Sequence, residues 1–137
     1  MTIQENIQKL VQDFAAFDGD TDAMYAYIIE RGKKLPQLDD TYKTDDNIIA
    51  GCQSKAWLYS EVKDGNVIFA ADTEAILPRG ILALILDVFS NQKAQDIVDA
   101  DITFIHNTGL SNILSPIRAI GLESMIKRMK ADAQIYI

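Results

Sequence analysis

Cys52 is the residue with the most distinctive chemistry in this sequence, because it is the only cysteine. It follows Gly51 at the end of the apolar run Ile48-Ile49-Ala50 and stands just before a β-rich segment. Glycine permits backbone geometries that a Cβ would block, so the sulfur can be presented on a bend to a partner. The alternative is that Cys52 is a small buried hydrophobe, as a free cysteine often is.

The cysteine and histidine counts exclude several kinds of site. One cysteine excludes an internal disulfide. With His106 as the one histidine, a zinc site built from several Cys and His ligands cannot be assembled, and no metal is expected. No local sequence supports a Ser-His-Asp triad, so we interpret His106 as a surface or capping residue.

Three acidic residues have the spacing that opens a calcium-binding EF-hand loop, namely Asp18, Asp20 and Asp22. The rest of that pattern is missing, because Ala23 stands where the loop needs glycine and Ile29 where it needs a bidentate glutamate. The acids are therefore interpreted as a turn and a helix cap.

Arg118 lies near the start of an expected helix, where a positive charge opposes the helix dipole. Two interpretations stay open for it. The guanidinium forms a surface ion pair, or it holds an anion or a partner's carboxylate.

Length and charge limit the classes of protein further. The chain has 137 residues, 48% of them apolar and 24% charged, which predicts one globular domain over residues 1–137. A net charge of −7 is a poor match for nucleic acid or anionic lipid. The longest apolar run, Ile81–Leu86, is far shorter than the roughly 20 residues that span a bilayer. The N-terminus has no basic start and no apolar signal core, so a cytoplasmic protein without a membrane partner is expected.

Helical spacing of apolar residues predicts a helix from about residue 3 to 17. A second helix begins after a cap at Asp20 or Thr21 and ends at Gly32, which is expected to be left-handed. The polar stretch 35–46 is interpreted as a surface loop.

The middle of the chain changes to a β pattern. Residues 48–72 are expected to form two or three antiparallel strands, with a hairpin turn at Asp64-Gly65-Asn66. Pro78 precedes Ile81–Phe89, which is apolar nearly all round and predicts a buried central helix. A short helix is expected at 94–100.

The last helix is expected to begin at Ser115 and Pro116, as a cap and a first helical residue. Lys127, Arg128 and Lys130 are placed in its last turns, where positive charge suits the dipole. The order of elements predicts an α+β fold, with a small antiparallel sheet and helices packed on one face.

Three segments carry patterns that are more specific together than alone. They are Gly51-Cys52-Gln53-Ser54-Lys55-Ala56-Trp57-Leu58, Ala71-Asp72-Thr73-Glu74-Ala75 followed by Arg79-Gly80-Ile81, and Leu114-Ser115-Pro116-Ile117-Arg118-Ala119-Ile120-Gly121-Leu122. In order and spacing they resemble the SufE family of sulfur-acceptor proteins, whose patterns are G-C-x-S-x-[VA]-W-[LV], A-D-S-D-A with a basic residue-Gly-Leu helix start, and L-S-P-S-R-x-N-G-L. The resemblance covers almost the whole chain.

Ile117 and Ile120 replace the usual Ser and Asn, so the surroundings of Arg118 are more apolar than the family pattern.

The resemblance implies a function. Members of the family accept sulfane sulfur from a pyridoxal-phosphate cysteine desulfurase of the SufS or CsdA kind, stimulate that enzyme, and pass the sulfur to an iron–sulfur cluster scaffold. They hold the sulfur as a persulfide, and no cofactor is expected on this chain. The residues that the resemblance assigns are the acceptor Cys52, the loop residues Gly51, Gln53 and Ser54, and the supporting residues Asp72 and Arg118.

A persulfide needs protection from solvent thiols, whereas transfer needs an accessible thiolate. One cysteine cannot satisfy both needs in one loop conformation. We therefore predict a mobile loop, buried alone and swung out when the desulfurase docks. Two other functions stay open: a non-catalytic interaction adaptor with a structural Cys52, and a redox sensor oxidised to sulfenic acid.

Overall fold

The computed structural model describes residues 1–104 and 109–137, so His106 lies outside the described residues. The described helices and strands are α1 (Ile3–Ala15), α2 (Thr21–Lys33), β1 (Ala56–Lys63), β2 (Asn66–Thr73), α3 (Ile76–Phe89), α4 (Ala94–Asp99), α5 (Leu110–Ile113) and α6 (Pro116–Ile135). Two single-turn 3₁₀ helices, Asp40–Tyr42 and Asp45–Asn47, lie in the predicted loop between α2 and β1.

The two N-terminal helices form where the sequence predicts them. The buried residues of α1 follow its predicted apolar stripe. Thr2 and Glu5 form a reciprocal capping box at its start, and the helix ends at Ala15 rather than at residue 17. Asp20 caps α2 by accepting the Ala23 N–H at 3.1 Å, which confirms its interpretation as a helix cap.

A two-stranded antiparallel hairpin forms the sheet. Asp64 and Gly65 both have positive φ, 53° and 81°, as the predicted tight turn requires. One face of the hairpin is covered by the segment before it. There Tyr42 stacks on Tyr59 at a centroid distance of 4.0 Å, and Lys43 lies 5.4 Å from the centre of the Trp57 ring.

Helix α3 is the central buried helix that the apolar block predicts, and it packs against β2, α1, α2 and α6. It begins at Ile76, so Pro78 lies inside its first turn rather than before it. This position tolerates proline because the first N–H groups of a helix have no intrahelical acceptor.

The predicted end of α2 at Gly32 is within one residue of the observed end at Lys33, but the expected left-handed conformation of Gly32 was wrong. Gly32 lies in the last turn of α2, at the point where α2 crosses α3. A Cβ on Gly32 would lie 2.7 Å from the Gly80 nitrogen, and a Cβ on Gly80 would lie 2.0 Å from the Ile28 carbonyl oxygen. Both glycines are therefore needed for the close approach of two backbones.

Helix α6 begins as predicted, with Ser115 as its cap and Pro116 as its first residue. The expectation for Lys127, Arg128 and Lys130 was wrong, because the helix continues to Ile135 and leaves them in its middle. Their charges do not meet the C-terminal dipole. Arg128 and Lys130 instead donate hydrogen bonds to backbone carbonyls of distant segments.

The architecture confirms the predicted α+β class. Helix α3 packs on β2 and α6 packs on β1, so the hairpin is joined to a mainly helical core. None of the described helices is both long enough and apolar enough to cross a membrane.

Candidate functional site

Cys52 lies in a short loop, residues 50–55, whose two ends are fastened together. The Ile49 N–H donates to the Ala56 carbonyl at 2.8 Å, which closes the base of the loop beside β1. On the other side the Thr73 hydroxyl donates to the Lys55 carbonyl at 2.7 Å. The loop is thus a defined excursion from the edge of the hairpin.

The thiol of Cys52 points toward α6 and is half-buried. Its Sγ donates a weak hydrogen bond to the Gly121 carbonyl, with 3.8 Å between the two atoms. Burial raises the pKa of the Cys52 thiol above its ordinary value, so the neutral thiol is favoured in this position. The inward loop therefore protects the sulfur and lowers its nucleophilicity at neutral pH.

Gly51 is required beside the thiol for two reasons. Its φ is +86°, which side chains other than glycine rarely adopt. A Cβ at this position would also lie 2.4 Å from the Ser124 hydroxyl oxygen on α6. A side chain at residue 51 would therefore be strained by the backbone conformation and would require Ser124 to move.

One face of α6 forms the surface on which the loop rests. Gly121 contacts Cys52, Ser124 contacts Gly51, and Arg128 donates to the Ile48 carbonyl at 2.7 Å. Residues at this spacing lie on one side of a helix. Gly121 thus contacts the thiol itself, whereas Arg128 contacts the chain that leads into the loop.

A small cavity of about 70 Å³ adjoins the loop. Gln53 and Ser54 contribute to its wall from the loop, and Ile117, Arg118 and Gly121 contribute from α6. Gln53 is exposed and Ser54 is half-buried. The structure thus places both predicted loop residues next to the thiol, at the boundary between the loop and the first turns of α6.

Asp72 is placed differently, as a buried carboxylate at the end of β2 that is only 4% exposed. It pairs with the Arg79 guanidinium, lies 3.5 Å from the Lys43 ammonium, and accepts the Leu38 N–H at 3.1 Å. Arg79 also donates to the carbonyls of Gly32 and Leu35. Asp72 therefore connects the sheet, α3 and the segment after α2, and its described contacts are structural.

We expect Asp72→Asn to lower the free energy of unfolding by about 3 kcal/mol, because it leaves the largely buried Arg79 without a full counter-charge. Denaturant unfolding of both proteins measures this difference. Asp40→Asn is the matched control, because Asp40 is 95% exposed in its pairing with Lys43 and should change stability by less than about 1 kcal/mol. Equal effects of the two variants would show that the buried pair contributes no more than a surface one.

Arg118 is exposed in the first turn of α6, and its backbone N–H is capped by the Ser115 hydroxyl. Within the described part of the chain, its guanidinium takes part in no ion pair, and it lies at the wall of the small cavity. Ile117 precedes it, Ile120 lies about one turn further along the same side of the helix as Ile117, and the two are 52% and 57% exposed. Arg118 is thus a charged group in an apolar, solvent-facing surface beside the Cys52 loop.

A larger cavity of about 510 Å³ lies between α1, α2 and α3. Within its wall Arg31 pairs with Asp87, and the Tyr27 hydroxyl donates to Asp13 at 3.4 Å. Its wall holds no cysteine. Among residues 1–104 and 109–137, no three His, Cys, Asp or Glu side chains are grouped to hold a metal ion.

Two contributors to the site were not predicted from the sequence. Ser124 and Arg128 hold the loop from α6, and their only signal is the helical spacing from Gly121. Arg79 stood within one of the quoted motifs, but no pattern in the sequence identified Asp72 as its partner.

The fold and the site define an α+β protein with one half-buried thiol on a glycine-containing loop, backed by a long helix. The chain belongs to the SufE family, whose model, described as the Fe-S metabolism associated domain, matches residues 8–133. The protein is accordingly associated with iron–sulfur metabolism.

Similar proteins agree with this membership. An uncharacterized SufE-like protein of Rhizobium meliloti is 34% identical over 134 residues, which cover 94% of this chain and 95% of the relative. A second SufE-like protein, from Rhizobium etli, is 33% identical over 135 residues, which cover 95% of this chain and 90% of that relative. The solution structure of a hypothetical protein from Thermus thermophilus has the same fold, with a TM-score of 0.79, 16% identity, and 94% and 93% of the two chains covered.

Proposed function

We propose that this protein accepts persulfide sulfur from a pyridoxal-phosphate-dependent cysteine desulfurase onto Cys52, stimulates that enzyme and relays the sulfur for iron–sulfur cluster assembly. The observation that carries the proposal is the placement of the one thiol on a short loop, with Sγ 3.8 Å from the Gly121 carbonyl oxygen. Membership of the SufE family supports it independently of this geometry.

The transfer is balanced without an external oxidant. The Cys52 thiolate attacks the outer sulfur of the desulfurase persulfide, a new S–S bond forms on Cys52, and the old S–S bond breaks. The desulfurase cysteine leaves as a thiolate. The sulfane sulfur keeps its oxidation state, so this step uses neither a metal nor an organic cofactor on this chain.

The inward loop favours storage over reaction. Because burial raises the pKa of the thiol, less thiolate is present at neutral pH while Sγ lies against Gly121. Attack also requires Sγ to reach the partner's sulfur. We propose that the loop swings outward when the desulfurase docks, with Gly51 providing the backbone freedom.

The docking surface is proposed to include the first turn of α6. A partner that reaches Cys52 must approach this turn, because Gly121 contacts Cys52 and Ile117 lies at the wall of the adjoining cavity. Exposed apolar side chains grouped on a surface mark sites of protein interaction. Ile117 and Ile120 provide apolar contact, and Arg118 offers a donor for a partner carboxylate.

Replacing both isoleucines, Ile117→Ser with Ile120→Asn, is expected to raise the half-saturating concentration for desulfurase stimulation by about tenfold, since apolar contact with the partner is lost. The stimulation at saturation should remain, because Cys52 and its loop are unchanged. Titrating the desulfurase with each protein and measuring alanine formation checks both quantities.

Val62→Ser is the matched control for the isoleucine variant. Val62 is similarly exposed, at 48%, but lies at the turn end of β1, the opposite end from the loop. It should leave the half-saturating concentration unchanged. An equal effect of Val62→Ser, or no effect of the isoleucine variant, would contradict the proposed docking surface.

Sulfur acceptance is tested directly by mass. The protein is incubated with a cysteine desulfurase and cysteine, and its mass is then recorded without reductant. We expect a gain of one sulfur atom that a reducing agent removes. Absence of this gain, with an active desulfurase that binds the protein, would contradict the proposal.

We propose that residues 1–137 act as one domain in the cytoplasm. A thiol that cycles between free and persulfide forms suits a reducing compartment, where unwanted disulfides do not persist. The proposed partners are the desulfurase and an iron–sulfur scaffold protein.

A further inference from the structure

Arg128 links α6 to the chain that enters the Cys52 loop. Its Nη1 donates to the Ile48 carbonyl at 2.7 Å, and its Nη2 donates to the Asp46 carbonyl at 2.5 Å. Its Nε donates to Asp132 at 3.0 Å, which fixes the orientation of the guanidinium. Asp132 also accepts the Ser60 hydroxyl at 3.3 Å, so this group is anchored to β1 as well.

The contacts nearer the thiol are much weaker. Cys52 makes a 3.8 Å sulfur hydrogen bond to Gly121, and Gly51 touches the Ser124 side chain. A thiol is a poor donor, whereas hydrogen bonds from a charged group are about twice as strong as neutral ones. The strongest described polar contacts between α6 and this part of the chain are therefore those of Arg128.

We propose that Arg128 is a positioning residue that holds the Cys52 loop in its inward position on α6. The relevance of this role to sulfur transfer rests on the proposed function, whereas the experiment that tests the role does not depend on that function. Arg128 fixes the carbonyls at the entrance of the loop, and Ile49 and Ala56 then close its base. With the entrance fixed, Gly51 and Cys52 are directed onto Ser124 and Gly121.

The presence of one cysteine makes this inference measurable, because every alkylation event reports Cys52. We expect Arg128→Ala to accelerate alkylation by iodoacetamide about tenfold under native conditions, which corresponds to about 1.4 kcal/mol of lost preference for the inward loop. The alkylation rate of Arg128→Lys should lie between those of the wild type and Arg128→Ala, because an ammonium lacks the fork that reaches both carbonyls.

The pH profile of alkylation gives a second readout. Burial raises the pKa of Cys52, so a loop that spends more time outward should have its rate midpoint at lower pH than the wild type. A role of Arg128 limited to overall stability would not move this midpoint in a folded variant. Circular dichroism establishes whether each variant is folded. If Arg128→Ala does not fold, the comparison of Arg128→Lys with the wild type provides the test.

Arg31→Ala is the matched control, because it removes an arginine that pairs with Asp87 between α2 and α3. Its alkylation rate should equal that of the wild type. Wild-type rates in the folded Arg128 variants, or equal acceleration by Arg31→Ala, would overturn the positioning role. A wild-type protein that gains no sulfur would instead overturn the proposed function, and it would leave the alkylation result unaffected.

Discussion

Cys52→Ser is expected to abolish both the sulfur gain and the stimulation of the desulfurase. A serine hydroxyl is not ionised at neutral pH and cannot form a persulfide, although it fits the same space beside Gly121. The desulfurase alone should keep its unstimulated rate in the presence of the variant. Mass measurement without reductant and an assay of alanine formation follow the two effects separately.

Binding provides the control for this variant. The exposed side chains of Ile117, Arg118 and Ile120 are unchanged, so Cys52→Ser should still bind the desulfurase, as calorimetry can measure. Stimulation that survives the loss of the thiol would favour the adaptor, with Cys52 only structural. A gain of oxygen under peroxide, combined with no gain of sulfur from the desulfurase, would favour the redox sensor.

Gly80→Ala is expected to have the largest effect on stability, with a loss above about 4 kcal/mol. The new Cβ would lie 2.0 Å from the Ile28 carbonyl oxygen and 2.7 Å from the carbonyl carbon of the same residue. Since this oxygen belongs to the backbone of α2, no change of rotamer relieves the collision, and the two helices must separate. Denaturant unfolding monitored by circular dichroism measures the loss.

Gly121→Ala is the matched control, because it makes the same change inside another helix. Its Cβ would meet the Cys52 sulfur at 3.8 Å, an ordinary contact distance. Alanine is favoured over glycine within a helix by roughly 0.5–1 kcal/mol, so this variant should be as stable as the wild type or more so. Equal destabilisation by the two variants would contradict the close crossing of α2 and α3.

The sequence predicts those parts of the structure that depend on neighbours along the chain. Asp64 and Gly65 indicate their turn because few other residues adopt positive φ. Ser115 and Pro116 indicate the start of α6 because the cap and the first turn have local requirements. The Cys52 loop was found in the same way, from a glycine beside a lone thiol and from the motif around it.

What the sequence could not predict depends on contacts between distant residues. Gly32 marks the end of α2 to within one residue, but the sequence does not show that Gly32 is needed for the close approach to Gly80. The sequence does not show that Arg79 pairs with Asp72, because their contact depends on how α3 packs on β2. Arg128 likewise has the pattern of a dipole-compensating residue, whereas its acceptors lie about 80 residues earlier in the chain.

The closed base of the loop has a kinetic consequence. Ile49 and Ala56 remain joined, so only residues 50–55 need to move when Cys52 exchanges between its two positions. Loops of folded proteins move on a timescale of about nanoseconds to microseconds, whereas enzymes turn over at roughly 1–10³ per second. Even if the inward contacts slow the opening about tenfold, the waiting time of a sulfur relay would be governed by bond exchange or by release of the partner.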